Sequence, residues 1–235
     1  MKKIRVILID DERLARGELR RMLDVYPDFE IIAEAANADE AIQLIDKHRP
    51  DLILLDIQMP GKSGFDLLEM LQQVPEVIFV TAYDQYAVKA FETNVLDYVV
   101  KPVRAERFSK LIEKVRNKLN RAPSQQQIFV KDGNKCYFIR LDEICLIESM
   151  ENYARLYFRD IVTYLKRSLN QLESELDPAM FFRINRSQII NTNFIKHIEQ
   201  AENGRLNITL HDGKLLEVSD RQSVKFKANN RLKSS

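Results

Sequence analysis

Along the first 120 residues, short and largely apolar runs alternate with stretches in which apolar residues return every three or four positions. The runs are IRVILI (4–9), EIIAEA (30–35), LILL (52–55), VIFV (77–80) and LDYVV (96–100). Between and after them come Ala15, Leu19, Met22, Leu23 and Tyr26; Ala41, Ile42, Leu44 and Ile45; Leu67, Leu68 and Leu71; Ala87, Ala90 and Phe91; and Phe108, Leu111, Ile112, Val115 and Leu119. Apolar runs without alternation belong to strands covered on both faces, and strands that alternate with helices build a parallel sheet. The pattern predicts a doubly wound α/β domain of five parallel strands and five helices over residues 1–120. In that architecture ligands sit beyond the carboxyl ends of the strands.

The segment NRAPSQQQ (120–127) loses both apolar spacing and helix formers, which predicts a linker over 121–127. Beyond it the period falls to two. QIFVKDGNKCYFIR reads as a hairpin around Asp132, Gly133 and Asn134. EICLIES, NYARLYF, VTYLKRS, FIKHIEQAE and RLNITLHDGKLLEVS continue in β-branched and aromatic residues, with turns at Arg159-Asp160, Asn203-Gly204 and Asp212-Gly213. LNQLESEL (169–176) and RQSVKFKANNRLK (221–233) alone have helical character. A second, mostly β domain is expected over 128–235.

A chain of 235 residues has room for two domains, and 45% apolar with 30% charged residues is the balance of a globular protein. The start, MKKIRVILIDDE, fails as a signal peptide because its apolar stretch runs into three acids. No run reaches the roughly 20 apolar residues a membrane helix needs, so a cytoplasmic protein with no membrane partner is expected. Cys136 and Cys145 fall in predicted strands and are expected to be buried free thiols. The net charge of +1 hides an asymmetry: residues 1–120 carry 18 basic against 21 acidic side chains, and residues 121–235 carry 18 against 14. The tilt suits an acidic partner for the second half only.

The candidate chemistry of the first half lies at the strand ends. The first strand ends in Asp10, Asp11 and Glu12, the third in Asp56, the fourth in Thr81, and the fifth in Lys101 and Pro102. Carboxylates brought together raise one another's pKa values unless a cation neutralises them, and few ligands with room for water and a phosphoryl oxygen suit Mg²⁺. Asp56 is then a nucleophile for phosphoryl transfer, with Mg²⁺ and Lys101 neutralising the phosphoryl oxygens. Taken singly, Asp10 and Asp11 would serve equally as caps for a helix beginning near Glu12, and Thr81 and Tyr98 as ordinary strand residues. An aspartyl-phosphate phosphatase would share the nucleophile but needs a second acid two residues on, where Gln58 stands.

The segments VILIDDE, LILLDIQMPGKSG, VIFVTAYD and LDYVVKPV together resemble, over residues 3–120, the receiver domain of bacterial two-component response regulators. The resemblance implies that Asp56 is the phosphoacceptor for a sensor histidine kinase. It implies that Asp11 and Asp56 bind Mg²⁺ with the Gln58 backbone carbonyl, and that Asp10 acts through water. Thr81 and Tyr98 would form the switch pair. Lys101 would sense the phosphoryl group, aimed by a cis peptide before Pro102. Phosphorylation would drive homodimerisation.

FFRINRSQIINTNFIKHI (181–198), with YLKRSLNQLESEL before it and DGKLLEVSDRQSVKF after it, resembles the LytTR DNA-binding domain over roughly 127–232. Asn185 stands where that family usually has histidine. The resemblance implies loops that enter successive major grooves of promoter repeats. Arg186 and Arg221 are the base-reading candidates, because a guanidinium pairs bidentately with guanine. Arg183, Lys166, Arg167, Lys225 and Lys227 are phosphate candidates. Asn152, Tyr153 and Arg155 are candidates for a second loop contact, and Asn185 for a contact beside Arg186. The whole is expected to be a transcription regulator rather than an enzyme; a domain binding protein or RNA is the rival for the second half.

Overall fold

The computed structural model describes residues 3–82, 91–93, 96–121, 126–133, 135–201 and 204–231. The apolar runs of the first half form β1 (Ile4–Ile9), β2 (Phe29–Ala35), β3 (Leu52–Leu55), β4 (Glu76–Thr81) and, after the short β5 (Phe91–Thr93), β6 (Asp97–Val100). They make one parallel sheet in the order β2-β1-β3-β4-β6. Ile9 pairs with Leu55, Leu55 with Phe79 and Phe79 with Tyr98, so the carboxyl ends of four strands reach one rim.

Each strand is apolar on both faces because each face has its own core. Ile7, Ile9, Ile53, Leu55 and Phe79 pack with Ala41 and Ile45 of α2 (Ala38–His48) and with Leu67 and Leu68 of α3 (Gly64–Met70). The alternate residues Val6, Leu8, Leu52, Leu54, Ile78 and Val80 pack with Leu19 and Leu23 of α1 (Arg13–Leu23) and Phe108, Leu111, Ile112 and Val115 of α4 (Ala105–Arg121).

Of the fourth helix expected between β4 and β6, Ala87 and Ala90 lie outside the described residues, and Phe91 is not helical. It stands in β5, which pairs parallel with β8, Phe91 opposite Cys136. A free strand edge supplies backbone partners, and Phe and Thr suit a strand.

The expected hairpin forms from β7 (Gln127–Asp132) and β8 (Lys135–Arg140). Its place differs from the sequence expectation. Phe129, Cys136 and Phe138 belong to the same apolar cluster as Phe65 and Phe79, with Phe129 and Phe138 edge to face at 5.0 Å and Phe65 stacked on Phe129 at 6.2 Å. Gln127, expected in the linker, is a buried strand residue. Its carbonyl accepts from Val74 N and its amide donates to the Pro75 carbonyl, so its polar groups are satisfied inside. Packing therefore divides the chain into Met1–Leu141 and Asp142–Ser235.

In the second unit, β9 (Ile144–Met150), β10 (Tyr153–Phe158), β11 (Ile161–Leu165), β12 (Phe181–Asn185) and β13 (Gln188–Asn191) form an antiparallel sheet ordered β11-β10-β9-β13-β12. A three-stranded sheet holds β14 (Ile195–Gln200), β15 (Leu206–Leu210) and β16 (Leu215–Val218). The two expected helices are α5 (Leu169–Glu175) and α6 (Asp220–Arg231). Leu146, Ile184, Ile190, Leu206, Ile208, Leu216, Val218 and Phe226 fill the core between these elements. Both cysteines are buried and free, and burial pushes the Cys136 thiol up to about 11. Among the described residues no helix is long and apolar enough to cross a membrane.

Candidate functional site

The rim of the parallel sheet gathers the groups expected there. Asp56 follows β3 directly and is 7% exposed; Asp10 follows β1 and is 1% exposed; Asp11 is solvent-facing. Carboxylate oxygens of the three lie within 4.8 Å of one another. Lys101 Nζ bridges two of them, 2.7 Å from Asp56 Oδ2 and 2.7 Å from Asp10 Oδ2. The peptide between Lys101 and Pro102 is cis.

Backbone N–H groups donate to the two buried carboxylates. Gln58 N donates to Asp56 Oδ1 at 3.1 Å, and Glu12 N donates to Asp10 Oδ1 at 2.9 Å. Asp10 thus holds the first turn of α1, although the residue at the cap position is Glu12, which makes no side-chain cap bond. Burial raises the Asp10 carboxyl above its usual range in spite of Lys101 and the Glu12 amide. Lys101 is shifted up: burial opposes its charge, but hydrogen bonds to Asp10 and Asp56 outweigh it. Thr81 is fully buried at the end of β4, and its hydroxyl has no partner among the described residues. Tyr98, half-buried on β6, packs against the α2–α3 side of the sheet.

Two contributors were not read from the sequence. Arg16 Nη1 donates to the Asp10 carbonyl at 2.6 Å while its Nε pairs with Glu34 at 3.0 Å, tying α1 and β2 to the loop that carries the acids. Gly64 lies against the main chain of the phosphoacceptor candidate: a β-carbon there would sit 2.5 Å from the Asp56 carbonyl oxygen. The Ser63 capping box that starts α3 fixes this approach, and the adjacent Ser-Gly pair is the one sequence signal for it.

A donor set of clustered carboxylates, with no nitrogen or sulfur ligand in the group among the described residues, suits a hard divalent cation such as Mg²⁺. The Asp10, Asp11 and Asp56 group meets that requirement.

In the second unit the candidates separate by environment. Arg186 and Arg221 are exposed, at the β12–β13 turn and the start of α6. Asn152 and Tyr153 are exposed at the β9–β10 turn, where Glu151 takes a left-handed φ of 53°. Lys166 and Lys225 are exposed; Lys227 reaches the Gly204 carbonyl at 3.3 Å. Arg167 is paired with Glu175 at 3.0 Å with 13% of its side chain exposed.

Arg183 is turned inward, donating to the carbonyls of Asn185 and Arg186 and to Asn170 and Glu173. Asn185 is also committed: its amide donates to Gln188 Oε1 and the Glu217 carbonyl, and its Oδ1 accepts from Ser187 N and Oγ. Arg155 stacks over Tyr164 at 5.5 Å and donates to the Tyr157 hydroxyl at 3.3 Å. These three shape turns and strands instead of standing free at the surface.

The sequence profile of the response regulator receiver domain matches residues 6–113, and that of the LytTr DNA-binding domain matches residues 134–230. Sensory transduction protein LytT of Enterococcus faecalis is 32% identical over 234 residues, covering 94% of this chain and 97% of its own. Transcriptional regulatory protein LytR of Staphylococcus aureus is 32% identical over 242 residues, covering 96% and 98%. Transcriptional regulatory protein BtsR of Salmonella typhimurium is 33% identical over 230 residues, covering 93% and 95%.

Proposed function

Because this chain belongs to the response regulators that join a receiver domain to a LytTR DNA-binding domain, we propose that Asp56 takes a phosphoryl group from a sensor kinase's phosphohistidine and so controls binding to promoter DNA. A carboxylate oxygen of Asp56 attacks phosphorus as the phosphorus–nitrogen bond breaks, and the electron pair leaves with the imidazole, which takes up a proton. Asp10, Asp11, Asp56 and the Gln58 carbonyl would hold Mg²⁺, which supplies charge neutralisation when bound. Lys101 is close enough to exchange its Asp56 contact for a phosphoryl oxygen, and the Thr81 hydroxyl is the donor left for another.

The observation that carries this reading is the buried Asp56, 2.7 Å from a lysine and grouped with two further carboxylates. Asp56→Asn removes the nucleophile and is expected to abolish labelling by phosphorylated kinase or acetyl phosphate; label persisting on that variant defeats the assignment.

The second half reads duplex DNA through Arg186 and Arg221, with Asn152 and Tyr153 forming a second contact and Lys166, Lys225 and Lys227 meeting phosphates. Arg183, Asn185 and Arg155 act behind them by holding the contacting turns. Phosphorylation-driven homodimerisation would join two such domains on repeated half-sites, which gains avidity without new contacts. Kinase and promoter together put this activity in the cytoplasm.

A further inference from the structure

Five side chains of the second unit lie opposite one another in a single row across the antiparallel sheet. Asn185 on β12 pairs with Gln188 on β13, Gln188 with Glu148 on β9, Glu148 with Arg155 on β10, and Arg155 with Tyr164 on β11. Residues opposite on adjacent strands share a face. Here they are joined by polar contacts from end to end. Asn185 Nδ2 donates to Gln188 Oε1 at 2.8 Å, and Gln188 Nε2 donates to Glu148 Oε1 at 2.8 Å. From the other side the Tyr157 hydroxyl, on the same face two residues from Arg155, donates to Glu148 Oε2 and accepts from Arg155 Nη1. Arg155 Nη2 also reaches Met150 Sδ, at the edge of the β9–β10 turn.

An ionised carboxylate accepts and never donates. Burial works against the Glu148 charge, but hydrogen bonds from Tyr157 and Gln188, with Lys214 and Arg155 nearby, hold its carboxyl below the usual range. The direction of the hydrogen bonds at Gln188 and Tyr157 follows from that one residue, and it agrees with the direction that the Glu217 carbonyl and the Ser187 amide impose on Asn185. Gln188 must present its NH₂ to Glu148, so its oxygen faces Asn185. Asn185 must then donate to Gln188, which leaves its oxygen for Ser187 N and Oγ and closes the turn carrying Arg186. On the other arm, the Tyr157 hydroxyl spends its proton on Glu148 and keeps its lone pairs for Arg155.

We propose that Glu148 is a positioning residue for DNA recognition, setting the hydrogen-bond polarity that holds the Arg186 turn and the Asn152–Tyr153 turn in one fixed geometry without itself touching DNA. The proposal rests on the second half reading duplex DNA through those turns. Glutamine at 148 has the same shape but one acceptor and one donor arm. Its donor must meet either Gln188 or Tyr157. If Gln188 inverts, its NH₂ faces the NH₂ of Asn185, which the Glu217 carbonyl and the Ser187 amide hold in place, and the Asn185–Gln188 bond that braces the Arg186 turn is lost. If Tyr157 inverts, its proton faces Arg155. One of the two turns loses its support either way.

The test uses the full-length protein and a duplex enriched by it from a random pool, with a scrambled duplex of equal length as the reference. Glu148→Gln is expected to lower the ratio of affinities for the two duplexes about tenfold or more, the effect of a lost hydrogen bond to a charged group. Affinity for the scrambled duplex should hold or rise, because one negative charge is gone. Gln188→Leu should lower the ratio as well and speed hydrogen exchange at Ser187 N–H; Tyr157→Phe should leave Ser187 protected. Since Gln188→Leu and Tyr157→Phe keep the charge at 148, they carry the test if Glu148→Gln lowers the unfolding midpoint. Equal tightening on both duplexes by Glu148→Gln would mean a carboxylate that only repels phosphate, and overturns the proposal. So does an unchanged ratio in Glu148→Gln and Gln188→Leu while the wild type discriminates. A wild type with no preference between the duplexes defeats the DNA-reading assignment itself, and the proposal with it.

Discussion

Lys101 Nζ stands 2.7 Å from Asp56 Oδ2 and at the same distance from Asp10 Oδ2, one ammonium shared by two buried carboxylates. A single positive charge cannot fully offset two acids taken from water, and the third carboxylate, Asp11, is within 4.8 Å.

That imbalance gives a pH dependence. Burial raises the Asp10 carboxyl above its ordinary 3.8. Between that value and the folded one, the native protein binds a proton that the unfolded chain has released. Stability from this group therefore falls as pH rises through the window, and at neutral pH the charge counts against the fold. Asp10→Asn, measured by thermal unfolding in chelator, is expected to gain about 1–2 kcal/mol at pH 7, the scale of a single substitution. The gain should shrink as pH falls through that window and vanish below about pH 3, where the carboxyl is neutral in both states. A midpoint that does not rise at pH 7 contradicts this account.

Gly64 has no room for a side chain. A β-carbon would come 2.5 Å from the Asp56 carbonyl, a backbone atom in the strand end that carries the phosphoacceptor candidate. Gly64→Ala is expected to cost about 1–3 kcal/mol, as overpacking does, and to slow labelling by acetyl phosphate. Chemical denaturation and the labelling rate check the two parts; wild-type values for both would show that the loop yields freely.

The β7–β8 hairpin is part of the first unit's core. Phe138 is 1% exposed, edge to face with Phe129 at 5.0 Å and with Phe79 at 6.4 Å. The LytTr match begins at residue 134, so β8 belongs to that match while its aromatic side chain is buried beside the parallel sheet. Phe138→Ala should destabilise the first unit by about 3–5 kcal/mol, the usual cost of deleting a buried ring. Denaturation of the full chain followed at residues 3–82 should show the loss; a transition confined to residues 142–231 would refute it.

Arg183 and Arg186 are expected to part company on mutation. Arg186 is exposed, and Arg186→Ala should weaken binding to a selected duplex by about 1–3 kcal/mol and relax one base position. Arg183 spends its guanidinium on the Asn185 and Arg186 carbonyls, Asn170 and Glu173. Arg183→Lys keeps the charge but not the planar fork. It should weaken selective binding while leaving the salt dependence of scrambled-duplex binding unchanged. A shallower salt slope would mean that Arg183 meets phosphate after all.

Much of this protein could be read from local pattern. Parallel strands buried on both faces leave an unbroken apolar signature, and Asp10, Asp56, Thr81 and Lys101 stand out because each interrupts that signature at a strand end. Their meeting at one rim follows from the parallel sheet, so the candidate phosphoacceptor site was legible before any coordinate. The turns at Gly204 and Gly213 were legible too, since their left-handed backbone favours glycine.

Tertiary structure alone decided the rest. Gln127 reads as linker because glutamine is polar, yet it is buried where the Val74 amide and Pro75 carbonyl happen to satisfy it. Phe91 carries a helical spacing but pairs with β8, whose open edge is 45 residues away in the chain. In the second unit, the sequence makes Arg155, Arg167, Arg183, Arg186 and Arg221 candidate DNA contacts alike, but whether a guanidinium meets solvent or a turn carbonyl depends on which strands lie beside it. In the sequence Glu148 is one acid in a strand. Its hold on Gln188, 40 residues on, exists only because β9 and β13 are neighbours in the sheet, and hydrogen-bond direction is a property of the assembled row that no single position in a sequence carries.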